Sequence, residues 1–431
     1  MQIAFETVSV VGLGYIGLPT AAVMASRGLN VIGVEVSLRA VGSINSGRAH
    51  FFEPELDALV KKAVDEGRLR AVTRPEPAEA FIIAVPTPVD RDHSPDLSYV
   101  EAAGTSIAPV LRRGNLIILE STSPVGTTEM LARRLAALRP DLKFPLGQES
   151  EPDILMAYCP ERIIPGQMIT ELIHNDRILG GLTPRSAKAA AALYSSFVQG
   201  QLVPTSGRTA EMVKLSENAF RDVNIAFANE LSKICDRFGI DPWEVIELAN
   251  HHPRVAILKP GPGVGGHCIA VDPWFIIHAA EDLSPLMQAA RQVNDSKPPY
   301  VVERVRAMTR SCDRIACLGL AYKADTDDLR ESPAVQVATA LALDRAGELL
   351  VVEPNQTQLP EVLSELGARQ VELEQALAEA DVLVLLVDHR QFRNLDPAAL
   401  SGKRVYDARG IWPRYRSVRP EEARLTLRAV S

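Results

Sequence analysis

The chain opens on a short apolar run, Val8-Ser9-Val10-Val11, and similar runs recur through its first 205 residues. Val31-Ile32-Gly33-Val34-Glu35, Phe81-Ile82-Ile83-Ala84-Val85 and Leu116-Ile117-Ile118-Leu119-Glu120 are strand-length and, apart from the acids that close the first and last, apolar rather than alternating. Strands apolar on both faces, separated by helical patterns, predict a parallel sheet covered on both sides. From about residue 206 to 305 the strand signals stop. Thr209 to Gly239 predicts one long helix with Gly239 as its stop, and Met212, Leu215, Ala219 and Val223 as much of its apolar face. From about 306 to 431 strands return as Arg314 to Leu318, Leu349 to Glu353, Asp381 to Val387 and Arg404 to Asp407. The pattern predicts an α/β protein in three domains: 1–205, a central helical 206–305, and 306–431.

The first and third zones echo each other. In each, a strand leads to a Gly turn (Gly12-Leu13-Gly14; Gly319-Leu320-Ala321), and a later strand ends in an acid (Glu35; Glu353). Two nucleotide-binding folds fit this echo, and so do two α/β domains of which one binds a nucleotide.

In the first zone the Gly turn reads Gly12-Leu13-Gly14-Tyr15-Ile16-Gly17 and runs into an apolar helix. Glycine at the first position permits the tight turn, at the second lets backbone approach a pyrophosphate, and at the third lets helix and strand meet closely. The helix N-terminus then faces the phosphates with free N–H groups. Glu35 closes the next strand, where a carboxylate accepts both ribose hydroxyls and repels a 2′-phosphate, favouring NAD over NADP; Arg39 nearby weakens that preference slightly. The two sheet domains are therefore read as Rossmann-like.

Composition narrows the function. A net charge of -8 with scattered Lys and Arg gives no basic stripe for nucleic acid or an anionic membrane. No apolar run approaches membrane-spanning length, and the first strand starts too early to leave room for a signal peptide. Five cysteines, without a CxxC or a Cys/His cluster, argue for a reduced cytoplasmic setting and no metal.

One cysteine stands apart. Residues 260–274 read Pro-Gly-Pro-Gly-Val-Gly-Gly-His-Cys-Ile-Ala-Val-Asp-Pro-Trp, so Cys268 follows four glycines within six residues and precedes Asp272 by four. Such a loop suits close approach of backbone to a ligand, and a thiolate there attacks an aldehyde; the plain alternative is a buried, inert thiol. Cys159, Cys235, Cys312 and Cys317, in apolar or helical runs, are read as inert. On the long helix Lys214 and Asn218 share a face, where a lysine stabilises an oxyanion, although alone it reads as a solvated helix lysine. Glu120-Ser121-Thr122-Ser123-Pro124-Val125-Gly126-Thr127 reads alone as a helix start, and His251-His252 as a polar loop.

Together these segments make the chain resemble the UDP-glucose/GDP-mannose dehydrogenase family over nearly its whole length. The motifs are residues 11–19, Val85-Pro86-Thr87-Pro88, Ser121 to Gly126, Glu211 to Asn218, Gly263 to Cys268, and Asp328-Leu329-Arg330-Glu331-Ser332. Pro160 to Gly166, Phe220 to Glu230 and His252-Pro253-Arg254-Val255 look typical of the bacterial branch acting on UDP-N-acetyl-D-mannosamine for surface polysaccharides such as enterobacterial common antigen.

The resemblance implies an NAD-binding domain, a central dimer-forming domain and a UDP-binding domain, in a homodimer with shared active sites. It implies a four-electron oxidation of a sugar C6 alcohol, in which Cys268 forms a thiohemiacetal and then a thioester. By similarity Lys214 and Asn218 stabilise the oxyanion and Thr122 lies near the reacting carbon. Asp272 positions water or moves a proton, and Glu161 serves thioester hydrolysis. Gly12, Gly14, Tyr15, Ile16, Gly17, Glu35, Arg39, Thr87, Thr122 and Arg330 fall to the cofactor. Glu161, Arg162, Lys214, Asn218, Gly265, Lys323 and Arg254, the last donated across the dimer, fall to the substrate. UDP-glucose members carry Phe-Leu-Ala-Glu where this chain reads Arg162-Ile163-Ile164-Pro165. That departure disfavours glucose and favours a 2-acetamido sugar; mannosamine over glucosamine rests on resemblance alone. Two rivals are weighed. A two-electron hydroxyacid dehydrogenase needs no nucleophilic cysteine, and a non-catalytic nucleotide-sugar sensor needs none of Cys268, Lys214 and Asn218.

Overall fold

The computed structural model describes residues 5–412, apart from 52, 91, 148–150, 165, 267 and 345–348. Pro165 and His267, members of two motifs quoted above, lie outside the described residues, as do residues 413–431. The chain divides into two compact units, Met1–Glu217 with Trp274–Ala279, and Asn218–Pro273 with Ala280–Ser431.

The first unit is built on eight strands: β1 (Thr7–Val11), β2 (Asn30–Val34), β3 (Leu69–Val72), β4 (Ala80–Ile83), β5 (Leu116–Leu119), β6 (Leu155–Tyr158), β7 (Arg177–Gly181) and β8 (Leu202–Ser206). They lie in the order β3-β2-β1-β4-β5-β6-β7-β8. Neighbours pair parallel except β6 with β7, which is antiparallel, so the predicted parallel sheet ends in an antiparallel junction before its last two strands. Apolar layers cover both faces: Val8, Val10, Leu116 and Leu155 point to one, Val11, Phe81, Ile117 and Met156 to the other. Residues apolar on both sides are what a two-sided core demands.

The second unit holds β9 (Ile315–Leu318), β10 (Leu349–Val352), β11 (Arg369–Gln370), β12 (Val382–Leu385) and β13 (Arg404–Asp407), ordered β11-β10-β9-β12-β13 and parallel throughout. This repeats the β3-β2-β1-β4-β5 order of the first sheet. The two sheets are both Rossmann-like, with the strand order reversing beside β1 and beside β9, where such folds hold ligands. The echo read from the sequence is a repeat of topology.

Between the sheets the chain is helical. The long helix runs Gly207–Phe238, and Gly239 ends it at φ 64°, a left-handed value that favours glycine. Its buried face carries Glu211, Leu215, Asn218, Ala219, Asp222, Ala226 and Asn229. Met212, expected on the apolar face, is 43% exposed: at about 100° per residue it lies about 60° round the helix from Leu215 and about 80° from Asp222, at the edge of the buried face. Buried polar groups replace it. Asp222 pairs with Arg291 at 2.6 Å, and Asn229 accepts from the Gly261 backbone at 2.9 Å. Among the cysteines read as inert, Cys159, Cys235 and Cys317 are buried, while Cys312 lies exposed in the turn before β9.

Candidate active site

The first Gly turn has the geometry a dinucleotide needs. Gly12 has φ 91°, and a Cβ there would lie 2.5 Å from the Ala84 carbonyl oxygen; one on Gly17 would meet the Gly12 carbonyl at 1.8 Å. A Cβ on Gly14 would meet nothing within 4 Å, so this residue faces open space, as one lying under a pyrophosphate would. The helix Gly17–Ser26 that follows has no side-chain cap; its Leu18 N donates to the Gly14 carbonyl at 3.1 Å, so the turn itself closes onto the helix N-terminus. Tyr15 packs against Phe51 beside the turn, the rings tilted by 33° with centroids 4.4 Å apart. Glu35 accepts from Leu13 N at 3.1 Å and Ser37 N at 3.0 Å, is half-buried, and stands beside the exposed Arg39. These residues fit NAD.

Thr87 and Thr122 are both half-buried, on the loops after β4 and β5. Ser121 ties the loops together: its hydroxyl accepts from Val85 N at 2.9 Å and lies 2.7 Å from the Val85 carbonyl. Glu211, quoted within a motif but given no role, is the anchor beyond them. Its buried carboxylate accepts from Gly126 N at 2.6 Å, Thr128 N at 2.9 Å and the Thr128 hydroxyl at 2.7 Å. It thereby caps the helix Thr127–Leu138 and fixes the Thr122 loop to the long helix.

Glu161 follows β6 and is buried. Its Oε1 accepts from Arg162 N at 2.7 Å and its Oε2 pairs with Arg177 at 2.5 Å. Arg162 is engaged on both sides of its guanidinium, with Glu217 at 2.7 Å and the Asp176 carbonyl at 3.3 Å. Glu53, which the sequence did not single out, holds the same loop by accepting from Gly166 N at 2.8 Å and Met168 N at 2.9 Å. Lys214 is half-buried on the long helix, one turn before Asn218.

In the second unit three expected residues come together. Cys268 is partly buried, and its carbonyl accepts from Val271 N at 3.0 Å and from Asp272 N at 2.8 Å. Asp272, 2% exposed, opens the helix Asp272–Ala279, and its carboxylate accepts from the Asn218 side-chain amide. The glycines before the thiol are there for space. A Cβ on Gly265 would lie 2.5 Å from the Glu331 carbonyl oxygen, and one on Gly266 (φ 82°) 2.9 Å from the Tyr322 ring. Gly266 N also donates to the Arg330 carbonyl at 3.1 Å. The cysteine loop is thus clamped by the segment Tyr322–Glu331, in which Glu331 itself has φ 48°. Lys323 and Arg330 are exposed on that segment, Arg330 paired with Asp328 at 2.5 Å, and Arg254 is exposed on its own loop.

The two echoing acids differ. Glu353, after β10, is fully enclosed: it accepts from Leu320 N at 2.6 Å, Ala321 N at 3.1 Å and Asn355 N at 3.0 Å, and lies 3.2 Å from buried His389 Nε2. Hydrogen bonds from His389 and the backbone hold its carboxyl below the usual range against the effect of burial. Glu35 remains accessible to a ribose; Glu353 does not. Among the described residues no group of His, Cys, Asp and Glu is placed to hold a metal, and no helix is long and apolar enough to cross a membrane.

An accessible acid at the first Gly turn, and a thiol loop clamped to a second nucleotide-type fold, are what a nicotinamide-dependent dehydrogenase with a second nucleotide ligand requires. That is the class this fold defines. Residues 6–198, 208–296 and 316–414 match in turn the NAD binding, central and UDP binding domains of the UDP-glucose/GDP-mannose dehydrogenase family. The chain belongs to that family; it is an NAD-dependent dehydrogenase, and a UDP-sugar is its class of substrate. It is 57% identical over 414 residues to an NDP-N-acetyl-D-galactosaminuronic acid dehydrogenase of Ralstonia nicotianae, covering 96% of this chain and 97% of the relative. It is also 57% identical to the UDP-N-acetyl-D-mannosamine dehydrogenase of Yersinia pestis, covering 95% and 100%. A solved UDP-D-ManNAc dehydrogenase from Pyrococcus horikoshii superposes with a TM-score of 0.83 at 39% identity, covering 94% of this chain and 96% of that one.

Proposed function

We propose that this enzyme oxidises the C6 alcohol of UDP-N-acetyl-D-mannosamine to the carboxylate by a four-electron route through Cys268. The observation that carries the reading is the Asn218–Asp272–Cys268 arrangement: a thiol at a Gly-rich turn, its backbone bonded to a buried acid that a helix amide holds in place. Cys268 adds to the C6 aldehyde to give a thiohemiacetal, whose oxidation leaves a thioester. Lys214 and Asn218 stabilise the oxygen that becomes negative as the adduct forms. Thr122 lies near the reacting carbon, Asp272 orients water or moves its proton, and Glu161 serves release of the acid. NAD, held at Gly12, Gly14, Gly17 and Glu35 with Thr87 and Arg330 assisting, supplies the hydride acceptor. Arg162, Gly265, Lys323 and Arg254 bind the substrate.

In this reading the chain has an NAD-binding domain at 1–205, a central domain at 206–305 and a UDP-sugar domain at 306–431, and works in the cytoplasm as a homodimer. The dimer finds support on the long helix. Phe220, Phe227, Ile234 and Phe238 are 67%, 54%, 45% and 70% exposed. Their spacing of seven, seven and four residues puts them on one stripe, a contiguous apolar face of the kind that a second copy covers.

The test is a panel of UDP-sugars with NAD, counting NADH per sugar. Two NADH, with UDP-N-acetyl-D-mannosamine turned over fastest, is the expected result. One NADH would indicate a two-electron enzyme, and faster turnover of UDP-glucose would overturn the sugar assignment. The 57% identity to the Ralstonia enzyme favours a second reading, a substrate of the N-acetyl-D-galactosamine series. The same panel separates it, since both readings call for a 2-acetamido group and differ in ring stereochemistry.

A further inference from the structure

Glu161 belongs to a cluster of five ionisable side chains, to the other four of which none of the roles above applies. Glu120 follows β5, Cys159 and Glu161 follow β6, Arg177 opens β7, and Tyr194 ends the helix Pro184–Tyr194. All five are buried, Arg177 to 1% exposure and Glu120 to 2%. Arg177 reaches two ways. Its Nη1 binds Glu161 Oε2 at 2.5 Å and its Nη2 donates to the Leu172 carbonyl at 3.3 Å, while its guanidinium carbon lies 5.9 Å from the centre of the Tyr194 ring. The Tyr194 hydroxyl donates to Glu120 Oε1; Glu120 Oε2 is buried with no protein hydrogen-bond partner.

The charge count decides what this cluster can do. It holds one guanidinium and two carboxyl groups away from water. Burying a second, unbalanced carboxylate is far more costly than keeping a neutral acid. Burial, reinforced by the negative charge of Glu161, pushes the Glu120 carboxyl up to about 7 against the pull of Tyr194 and Arg177. The same burial pushes the Cys159 thiol up to about 12 and the Tyr194 phenol well above its ordinary value. Below about pH 7, Glu120, Tyr194 and Cys159 form a neutral lining around the Glu161–Arg177 ion pair.

We propose that Glu120 is a positioning residue for Glu161: as a neutral acid it leaves Arg177 to Glu161 alone, and once ionised it competes for that single guanidinium and loosens the Glu161 carboxylate. This rests on the reading in which Glu161 serves release of the acid from Cys268. The predicted consequence is a brake on thioester hydrolysis as pH rises past neutrality, transmitted through Arg177.

The experiment uses the full-length enzyme with NAD and the UDP-sugar turned over fastest. Turnover is quenched in acid between pH 6 and 9, and the fraction of Cys268 carrying a sugar acyl group is read by peptide mass. In the wild type the acyl fraction should rise severalfold above pH 7. Glu120→Gln, which is permanently neutral, should match the wild type within about threefold at pH 6 and lose the rise. Arg177→Lys should accumulate acyl-enzyme at every pH. Tyr194→Phe, which removes a hydrogen bond favouring the ionised form, should move the rise to higher pH and provides an independent test if Glu120→Gln folds poorly. A Glu120→Gln profile rising like that of the wild type, or a Tyr194→Phe profile that is unmoved or moved to lower pH, overturns the proposal. Glu161→Gln separates the two levels. If it carries no more acyl than the wild type, the role of Glu161 itself falls, and the proposal with it.

Discussion

Asn218 donates its side-chain amide to the carboxylate of Asp272, and both groups are buried. An amide that spends one N–H on an acid keeps its second N–H in a fixed direction, which orients it toward an adjacent oxyanion. Removing it also leaves the acid short of a donor. Asn218→Ala should lower kcat on the order of a hundredfold and destabilise the fold by about 1–3 kcal/mol. Steady-state kinetics and urea denaturation check the two effects separately. A loss of stability without a loss of kcat would make the pair structural only.

Cys268→Ala should stop the reaction after one hydride. An alcohol gives up hydride directly once a base takes its proton, whereas an aldehyde first needs an addition to its carbonyl. Single-turnover assays with excess NAD and an aldehyde trap should yield at most one NADH per sugar. Two NADH at a near-normal rate would eliminate the covalent route.

Glu35 should set the cofactor preference. Two ribose hydroxyls bonded to a carboxylate contribute about 1.5–3 kcal/mol each, so Glu35→Ser should lower kcat/KM for NAD at least tenfold while improving the ratio for NADP. A wild type that uses NADP as well as NAD would contradict this.

Phe227→Glu should release monomers. The substitution places a charge on the exposed stripe of the long helix, where a partner's apolar face would have to desolvate it. Light scattering after size exclusion reads the mass directly, and an unchanged mass in both wild type and variant would move the interface elsewhere.

Two buried groups give stability a pH signature. Glu120 has a folded value of about 7 against an ordinary 4.5, so the folded state binds more protons between those values. Its contribution is therefore greatest at acid pH and is lost as pH rises from 4.5 to 7. Lys297, buried beside Ser232 and the Tyr300 ring, is pushed down to about 7 from 10.5, chiefly by burial. There the unfolded state binds more protons, and stability rises from pH 7 to 10.5. Glu120→Gln should flatten the first slope and Lys297→Met the second. Each should stabilise the protein at pH 7 by an amount bounded at about 3–5 kcal/mol by these shifts. Denaturation midpoints across the range are the measurement.

The parts of this molecule legible in its sequence are those with local causes. β4 and β5 announce themselves as unbroken apolar runs and β1 as a run broken only by Ser9 after its first residue, and Gly12 and Gly266 as glycines no Cβ could replace. β8 escapes such reading because it is largely exposed and carries Pro204. β11 is only two residues long, and β7 begins with a buried arginine. Glu211 and Arg177 were likewise hidden. Glu211 meets Gly126 from 85 residues away, and Arg177 reads as a surface charge until the fold brings Glu161 to it. Met212 shows the reverse error: an apolar residue at a plausible helical spacing that the fold turns outward.

The enclosure of Glu353 by His389 bears on how the enzyme keeps its reactants apart. A dinucleotide and a nucleotide sugar are built around the same diphosphate, and two berths of one topology invite each to settle in the other's place. With the second acid buried, a ribose entering that berth would meet no accessible carboxylate of the kind Glu35 presents. The duplicated topology thereby carries two unlike acids, an accessible carboxylate after β2 and a closed one after β10.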